Sequence, residues 1–439
     1  GQTALAQDDD VTLQEIIVTG SRIERTDVTS VSPISVFTEV DFEASGEVTL
    51  EDFIQNMPSV TGGFNGKTVN NGSRGAAYVA LRGLGSGRTL VLLNGKRLPA
   101  VSTGASVDLN MIPAALIERV EVLRDGASTV YGSDAIAGVV NLITKTDFDG
   151  AEFSFQYDKT GEDDGRIKNF SGVIGASSDR GNVVFGVDYN DREKIMQGDR
   201  PFSACPLFEN ADGSTYCGGS GTSYPGHFYS ATYPSHILDD NDNIVPFTTA
   251  DHGFNYAAWS YMVTPQEVLS TYANARYDLI QESAFGTVTG TLDPVWSNRQ
   301  SDTLMAAVGT FWGPEVPASN MYNPTGEPAY LTRRLFETGG RSFTQDASQW
   351  RVVTGLEGEF NNGWNWDVSW NYSRFVDSRI ERGFINQPRV DVILDPALCA
   401  ADPLCPKVWD PYHTGTLDQD LQDYILVNHS PVARNIQKT

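Results

Sequence analysis

The residue types best suited to catalysis or metal binding are scarce in this sequence, and their spacing narrows what they can do. The histidines are His227, His236, His252, His413 and His429, and none stands beside a serine-elbow glycine pattern or an HExxH pair, so no catalytic role is expected. The cysteines fall as two local pairs, Cys205 with Cys217 and Cys399 with Cys405, in sequence rich in Gly, Pro and Asp. Zinc at Cys205, Cys217, His227 and His236 would need unusual spacings, which leaves disulfides and exposed imidazoles as the better account. Adjacent pairing is the simplest of the connectivities open to these cysteines, and four free thiols in a reducing cell is the competing reading. A bridge from Cys205 to Cys217 would contribute on the order of 2 to 3 kcal/mol and implies an oxidising compartment.

Two further stretches invite a chemical reading and lose it on inspection. Asp239, Asp240, Asn241, Asp242 and Asn243 have the acidic spacing of a calcium loop, but Ile244 replaces the turning glycine and Ala250 stands where the closing carboxylate belongs. An exposed acidic turn is the expectation. Gly83-Leu84-Gly85-Ser86-Gly87 lies between two strand-like runs and lacks the following helix that a phosphate cradle needs, so its glycines are assigned to a tight backbone crossing.

Those residues sit in a chain of 439 residues with 31 Lys and Arg against 56 Asp and Glu, a formal charge of −25 that repels polyphosphate and excludes nucleic acid as a partner. No run of about 18 apolar residues exists, which removes a spanning helix and leaves a β-barrel open, because barrel strands alternate. Ala4-Leu5-Ala6 resembles the small-x-small end of a secretory signal, giving residues 1–6 as a residual signal-peptide end. Residues 7–20 read as a flexible, acidic leader.

From Thr38 the chain becomes compact. Thr38 with Asp41, and Thr49 with Asp52, are helix starts of the capping-box kind; Gly46 and Pro58 are the stops. Tyr78–Arg82 and Thr89–Leu93 are strand-like, and Asn94-Gly95 is a type I′ turn candidate leading into Lys96–Leu98. Strands and short helices alternate to Lys145, which predicts an α+β unit over residues 21–146.

After Asp147 the period becomes two, over 147–439. Strands are expected at Ala151–Asp158, Ile167–Ala176, Asn182–Asn190, Val268–Leu279, Ala284–Leu292, Trp350–Phe360 and Trp364–Phe375. Very short turns alternate with loops of about 75, about 50 and about 60 residues, far beyond ordinary connections. Such asymmetry is that of an outer-membrane barrel, with short turns periplasmic and long loops outside. Trp364, Trp366, Trp370 and Tyr372 share one face of one strand, as lipid contact with interfacial girdles requires. The strand count is about 7, whereas a barrel that holds an internal domain needs about 22, so the sequence is expected to be the N-terminal part of a longer protein, its last segment Asn428–Thr439 free of strand.

Four segments resemble, in order, those of TonB-dependent outer-membrane receptors: EIIVTG at Glu15–Gly20, LEDFIQNMPSV at Leu50–Val60, VALRGLGSGRTLVLLNGKRLP at Val79–Pro99, and ERVEVLRDGASTVYGSDAIAGVVNLITK at Glu118–Lys145. The resemblance implies an α+β plug domain followed by antiparallel transmembrane β-barrel strands, in the outer membrane of a Gram-negative bacterium. It implies that Glu15, Ile16, Ile17, Val18, Thr19 and Gly20 form the TonB box, a β-branched segment that adds as an edge strand to a periplasmic energy-transducing partner. It also implies that Arg82 is the plug arginine that meets barrel-wall carboxylates. The expected function is energy-coupled import of a scarce solute, a siderophore, cobalamin-like chelate or oligosaccharide, without a bound cofactor. A secreted, disulfide-bonded β-rich protein holding carbohydrate on its aromatic loops is the alternative. The loop aromatics Phe228, Tyr229, Tyr233, Phe254, Tyr256, Trp259, Tyr261, Trp312 and Tyr322 serve either reading, and no basic cluster marks an anionic chelate site.

Overall fold

The computed structural model describes residues 34–61, 65–67, 75–101, 106–283 and 286–438. Its N-terminal domain contains β1 (Ile34–Thr38), α1 (Glu39–Ser45), α2 (Leu50–Gln55), β2 (Thr89–Leu93), β3 (Lys96–Arg97), β4 (Ile117–Leu123) and β5 (Gly138–Thr144). The strands form one mixed sheet in the order β1-β4-β5-β2-β3, with β2 and β5 parallel. Local chemistry sets these elements. The Asp41 carboxylate accepts from Thr38 N at 2.7 Å to open α1, and Gly46 closes it at φ 71°. The Thr49 hydroxyl accepts from Asp52 N at 3.1 Å to open α2. Asn94 and Gly95, at φ 51° and 70°, make the turn between β2 and β3.

Residues Tyr78–Arg82 are not a strand. Only Leu81 forms a bridge, to Val60, made by Arg82 N to Ser59 O at 2.9 Å and Thr61 N to Ala80 O at 3.0 Å, while Leu81 N donates to the Thr89 hydroxyl at 3.0 Å. The segment is buried irregular chain whose polar groups are satisfied without a ladder.

Seven long strands follow: β6 (Gly150–Asp158), β7 (Ile167–Ser178), β8 (Gly181–Arg192), β9 (Gln266–Ile280), β10 (Val288–Met305), β11 (Arg341–Glu359) and β12 (Asn365–Ile385). Each pairs antiparallel with its predecessor in chain order, making a single curved wall. The expected strand at Ala284–Leu292 begins later and runs to Met305. Pro294 lies inside it without ending it, and the β9–β10 ladder is interrupted between Leu292 and Val295, where proline has no N–H to give. A further correction concerns the last segment: β13 (Leu426–His429) and β14 (Val432–Lys438) both pair with β12, so Asn428–Thr439 does contain strand.

The wall is inside-out relative to a soluble sheet. Along β12, Trp370 is 50% exposed while Ser373, three residues on and on the opposite face, is 0% exposed. Phe153, Phe155, Ile174, Phe185, Leu292, Trp350 and Val368 share the outward face, whereas Asp188, Asn274, Ser297, Arg299, Gln345, Gln349, Arg351 and Asn371 are buried on the inner one. Apolar groups outward and polar groups inward is the pattern of a strand facing lipid.

Candidate functional site

The inner face of the wall meets the N-terminal domain directly. Wall residues Val173, Val184, Tyr272 and Val295 join the core cluster that contains Leu50, Ile54, Leu81, Leu116 and Val140. Polar contacts then fix the register. Arg299 of β10 donates from Nε to Asp108 at 2.9 Å with both side chains fully buried, and Asp108 also accepts from Ala77 N at 2.9 Å. Burial pushes the Asp108 carboxyl above its ordinary range, opposed by Arg299 and by two backbone amides. Gln266 donates to Gly75 O at 2.7 Å, Thr264 to Gly66 O at 2.5 Å, and Ser297 to Met111 O at 2.7 Å. Gly75 sits at φ 91° against Ser301 and Arg299, and a Cβ there would collide with both. At the other end Arg351 donates to Leu93 O at 3.1 Å and Asn371 to Arg97 O at 2.9 Å, so the wall also grips the β2–β3 hairpin.

The long connections fold together rather than standing apart. Short strands His227–Tyr229, His236–Leu238 and Ile244–Pro246 of the first pair with Glu315–Val316 and Ala329–Thr332 of the second in one sheet. The third connection supplies helices α3 (Gln387–Leu394), α4 (Pro396–Ala401) and α5 (Gln419–Ile425). Phe228, Leu331, Trp409, Tyr412 and Ile425 make their shared core. Of the aromatics considered for ligand contact, Phe228 is fully buried and Tyr233 and Trp312 pack against this core, so these are structural. The third connection, read from the sequence as loop, thus carries three helices. Their starts were legible as Asn386, Asp395 and Asp418, each capping the following turn, with Pro388 and Pro396 just inside two of them.

His227 lies in the same outer cap, stacked on Phe247 at 4.0 Å between ring centroids and hydrogen-bonded to Ser223 and Tyr229. Burial holds its pKa down to about 4. His413 bridges Asp242 and Asp410, each at 2.8 Å, and the hydrogen bond to Asp242 leads in raising its pKa. Cys205 is joined to Cys217 and Cys399 to Cys405. Asp239 accepts from Asn241 N and Asn243 N, making a self-capped acidic turn, and among the described residues no group of three His, Cys, Asp or Glu is placed to hold a metal ion.

Two concavities flank the contact between domain and wall. One of about 810 Å³ lies toward the short turns, and its four cations all have carboxylate partners: Lys96 with Asp367, Arg119 with Glu118 and Glu121, Lys145 with Glu39 and Glu152, and Arg276 with Glu357. The other, of about 500 Å³, lies under the outer cap between the ends of β10 and β11 and is lined by Tyr256, Phe311, Arg334 and Arg341 among others. Neither of its arginines is ion-paired among the described residues, a feature without a local sequence signal, since Arg334 lies in the second connection and Arg341 opens β11.

Glu15–Gly20 lies outside the described residues. Arg82 is exposed at φ 55° and donates to Ile136 O at 3.3 Å within its own domain, and among the described residues it has no ion pair with a wall carboxylate. The ionic contacts between the two parts instead include Arg299 reaching inward to Asp108 and Lys96 reaching outward to Asp367.

Residues 26–139 match the family model of the TonB-dependent Receptor Plug Domain. Residues 26–139 are thus a plug domain of the TonB-dependent receptor kind, and the antiparallel strands of the wall follow it in the chain. It is similar in structure to the ferripyoverdine receptor of the outer membrane of Pseudomonas aeruginosa, at 14% identity and a TM-score of 0.40, covering 83% of this chain and 44% of that one. It is similar also to the siderophore receptor PiuA from Acinetobacter baumannii, at 15% identity and 0.44, covering 80% and 46%. The ferric-catecholate import receptor Fiu from E. coli K12 aligns at 14% identity and 0.42, covering 94% and 56%. The chain spans about half the length of each of these receptors.

Proposed function

We propose that this chain is the gate and the first part of the wall of an energy-coupled importer, which binds a scarce solute under its outer cap and admits it when the plug is displaced. The reading is carried by the arrangement of the wall: its apolar face looks outward, and its inner face is buried against the plug through buried hydrogen bonds together with apolar contacts of Val173, Val184, Tyr272, Val295, Ala347 and Phe375. The segment Glu15–Gly20 is the proposed handle, adding as an edge strand to a TonB-like periplasmic protein. Siderophore, cobalamin-like chelate and oligosaccharide remain the solute classes of this reading.

The test is capture of the whole receptor, in detergent, by the periplasmic domain of the cell's own TonB-like protein. Removal of residues 15–20 is expected to abolish capture; capture at unchanged strength would remove the proposed handle. A secreted carbohydrate-binding protein is disfavoured by Trp350, Trp370 and Phe155, which a water-facing sheet would have no reason to expose on one face.

A further inference from the structure

Arg334 and Arg341 line the same outer cavity, and neither is ion-paired among the described residues. Arg334 donates from Nη1 to Ala307 O at 2.8 Å and from Nη2 to the Ser220 hydroxyl at 3.0 Å, while its Nε, also buried, has no partner. Its guanidinium lies between two ring faces, 5.1 Å from Phe254 and 5.3 Å from Phe311. Arg341, the first residue of β11, donates from Nε to Ala306 O at 3.0 Å. Consecutive carbonyls, Ala306 and Ala307, therefore hold two like charges near one another. Burial chiefly, and then repulsion from Arg341, disfavours the charged state of Arg334, lowering its pKa to about 10.

Carbonyl dipoles and ring faces offset only part of the cost of burying a guanidinium; a carboxylate normally supplies the rest. The neighbouring residue shows the usual solution: Arg333 is fully buried and has Glu337 at 2.7 Å. Neither Arg334 nor Arg341 has such a partner among the described residues, although the chain carries 56 acids. Arg192 and Arg351 are also buried without an ion pair, but each lies within the field of a carboxylate, Glu51 and Asp293 respectively, whereas no carboxylate supports the charge of Arg334 or Arg341.

We propose that Arg334 and Arg341 form a carboxylate clamp: the missing counter-charge is a carboxylate of the bound solute, received between the two guanidinium groups, with Tyr256 and Phe311 against its flat or apolar part. Arginine suits this role because its planar fork matches a carboxylate in two parallel hydrogen bonds. A cavity of about 500 Å³ admits a small acid or the acidic end of a larger chelate. The inference rests on the importer reading for its location under the outer cap, and it narrows the solute to an anionic one.

The test uses benzoate and its neutral isostere benzamide, titrated calorimetrically into the whole receptor in detergent at low salt. Benzoate is expected to bind at least about tenfold more tightly, as charge-assisted pairing requires, and Arg341→Gln is expected to erase the preference. Arg341→Lys, which retains charge, should retain part of it. Arg334 anchors Ala307 and Ser220, so its removal risks the local fold; Arg341 is for that reason the informative position. Equal binding of the two probes, or a benzoate preference untouched by Arg341→Gln, would overturn the clamp. Capture through residues 15–20 that persists while the preference is absent overturns the clamp alone, and the converse overturns the importer reading alone.

Discussion

Asp108 of the plug and Arg299 of the wall meet at 2.9 Å with neither side chain exposed, and Arg299 continues to Gln345 at 3.0 Å on the next strand. One buried charge pair thus ties the gate to two adjacent strands of the wall. Removing one partner leaves the other charge buried and unpaired, which costs about 3 to 5 kcal/mol. Asp108→Asn or Arg299→Met is expected to destabilise the plug in the wall by that amount, read as an earlier plug transition in a denaturant titration of the whole receptor. The Asp108→Leu, Arg299→Met double variant should recover much of the loss, and strictly additive losses would show that the residues do not interact.

The outward face gives a second expectation. Trp350 of β11 faces Trp296 of β10 across the strand pair, with ring centroids 6.0 Å apart, and both belong to the outward face. Trp350→Arg is expected to reduce folding stability in lipid vesicles by about 2 to 4 kcal/mol if the position lies near mid-bilayer, and by less toward a headgroup girdle. Arginine there with no change at all would place this face in water.

Acid should loosen the outer cap. His227 is neutral when folded, its pKa held to about 4 by burial, whereas an unfolded histidine takes a proton near 6.5. Between those values the unfolded state binds more protons, so the stability owed to His227 is complete above about pH 6.5 and falls by about 3 kcal/mol as pH drops toward 4. His413 acts in the opposite sense. Its raised pKa adds stability while it is protonated between Asp242 and Asp410, and that contribution fades as pH rises through the raised value. Fluorescence of Trp409, in the shared core of the cap, should report the acid transition, and His227→Gln should flatten it.

Much of the fold was legible because its determinants are local. Thr38 with Asp41 and the Asn94-Gly95 pair dictate their own geometry, and the alternation in Trp364–Phe375 names its lipid face from side chains alone. Pro294 obscured the length of β10, since a proline reads as an end when its neighbours in the sheet are unknown. Helices α3 to α5 are short, and their caps are easily taken for turns. The clamp was the least legible element. Nothing near Arg334 or Arg341 in the sequence distinguishes them from Arg333, whose acid lies four residues on; the difference appears only when the outer cap and wall are folded together.

Residues 15–20 are proposed to couple a periplasmic pull to import through this plug. The most direct measurement is uptake and surface binding of labelled ferric chelates, cobalamin and maltooligosaccharides by the same cells, with the receptor intact or lacking residues 15–20. Whichever solute is bound is expected to remain bound after the deletion while its uptake is lost; uptake that survives the deletion would rule out coupling through residues 15–20.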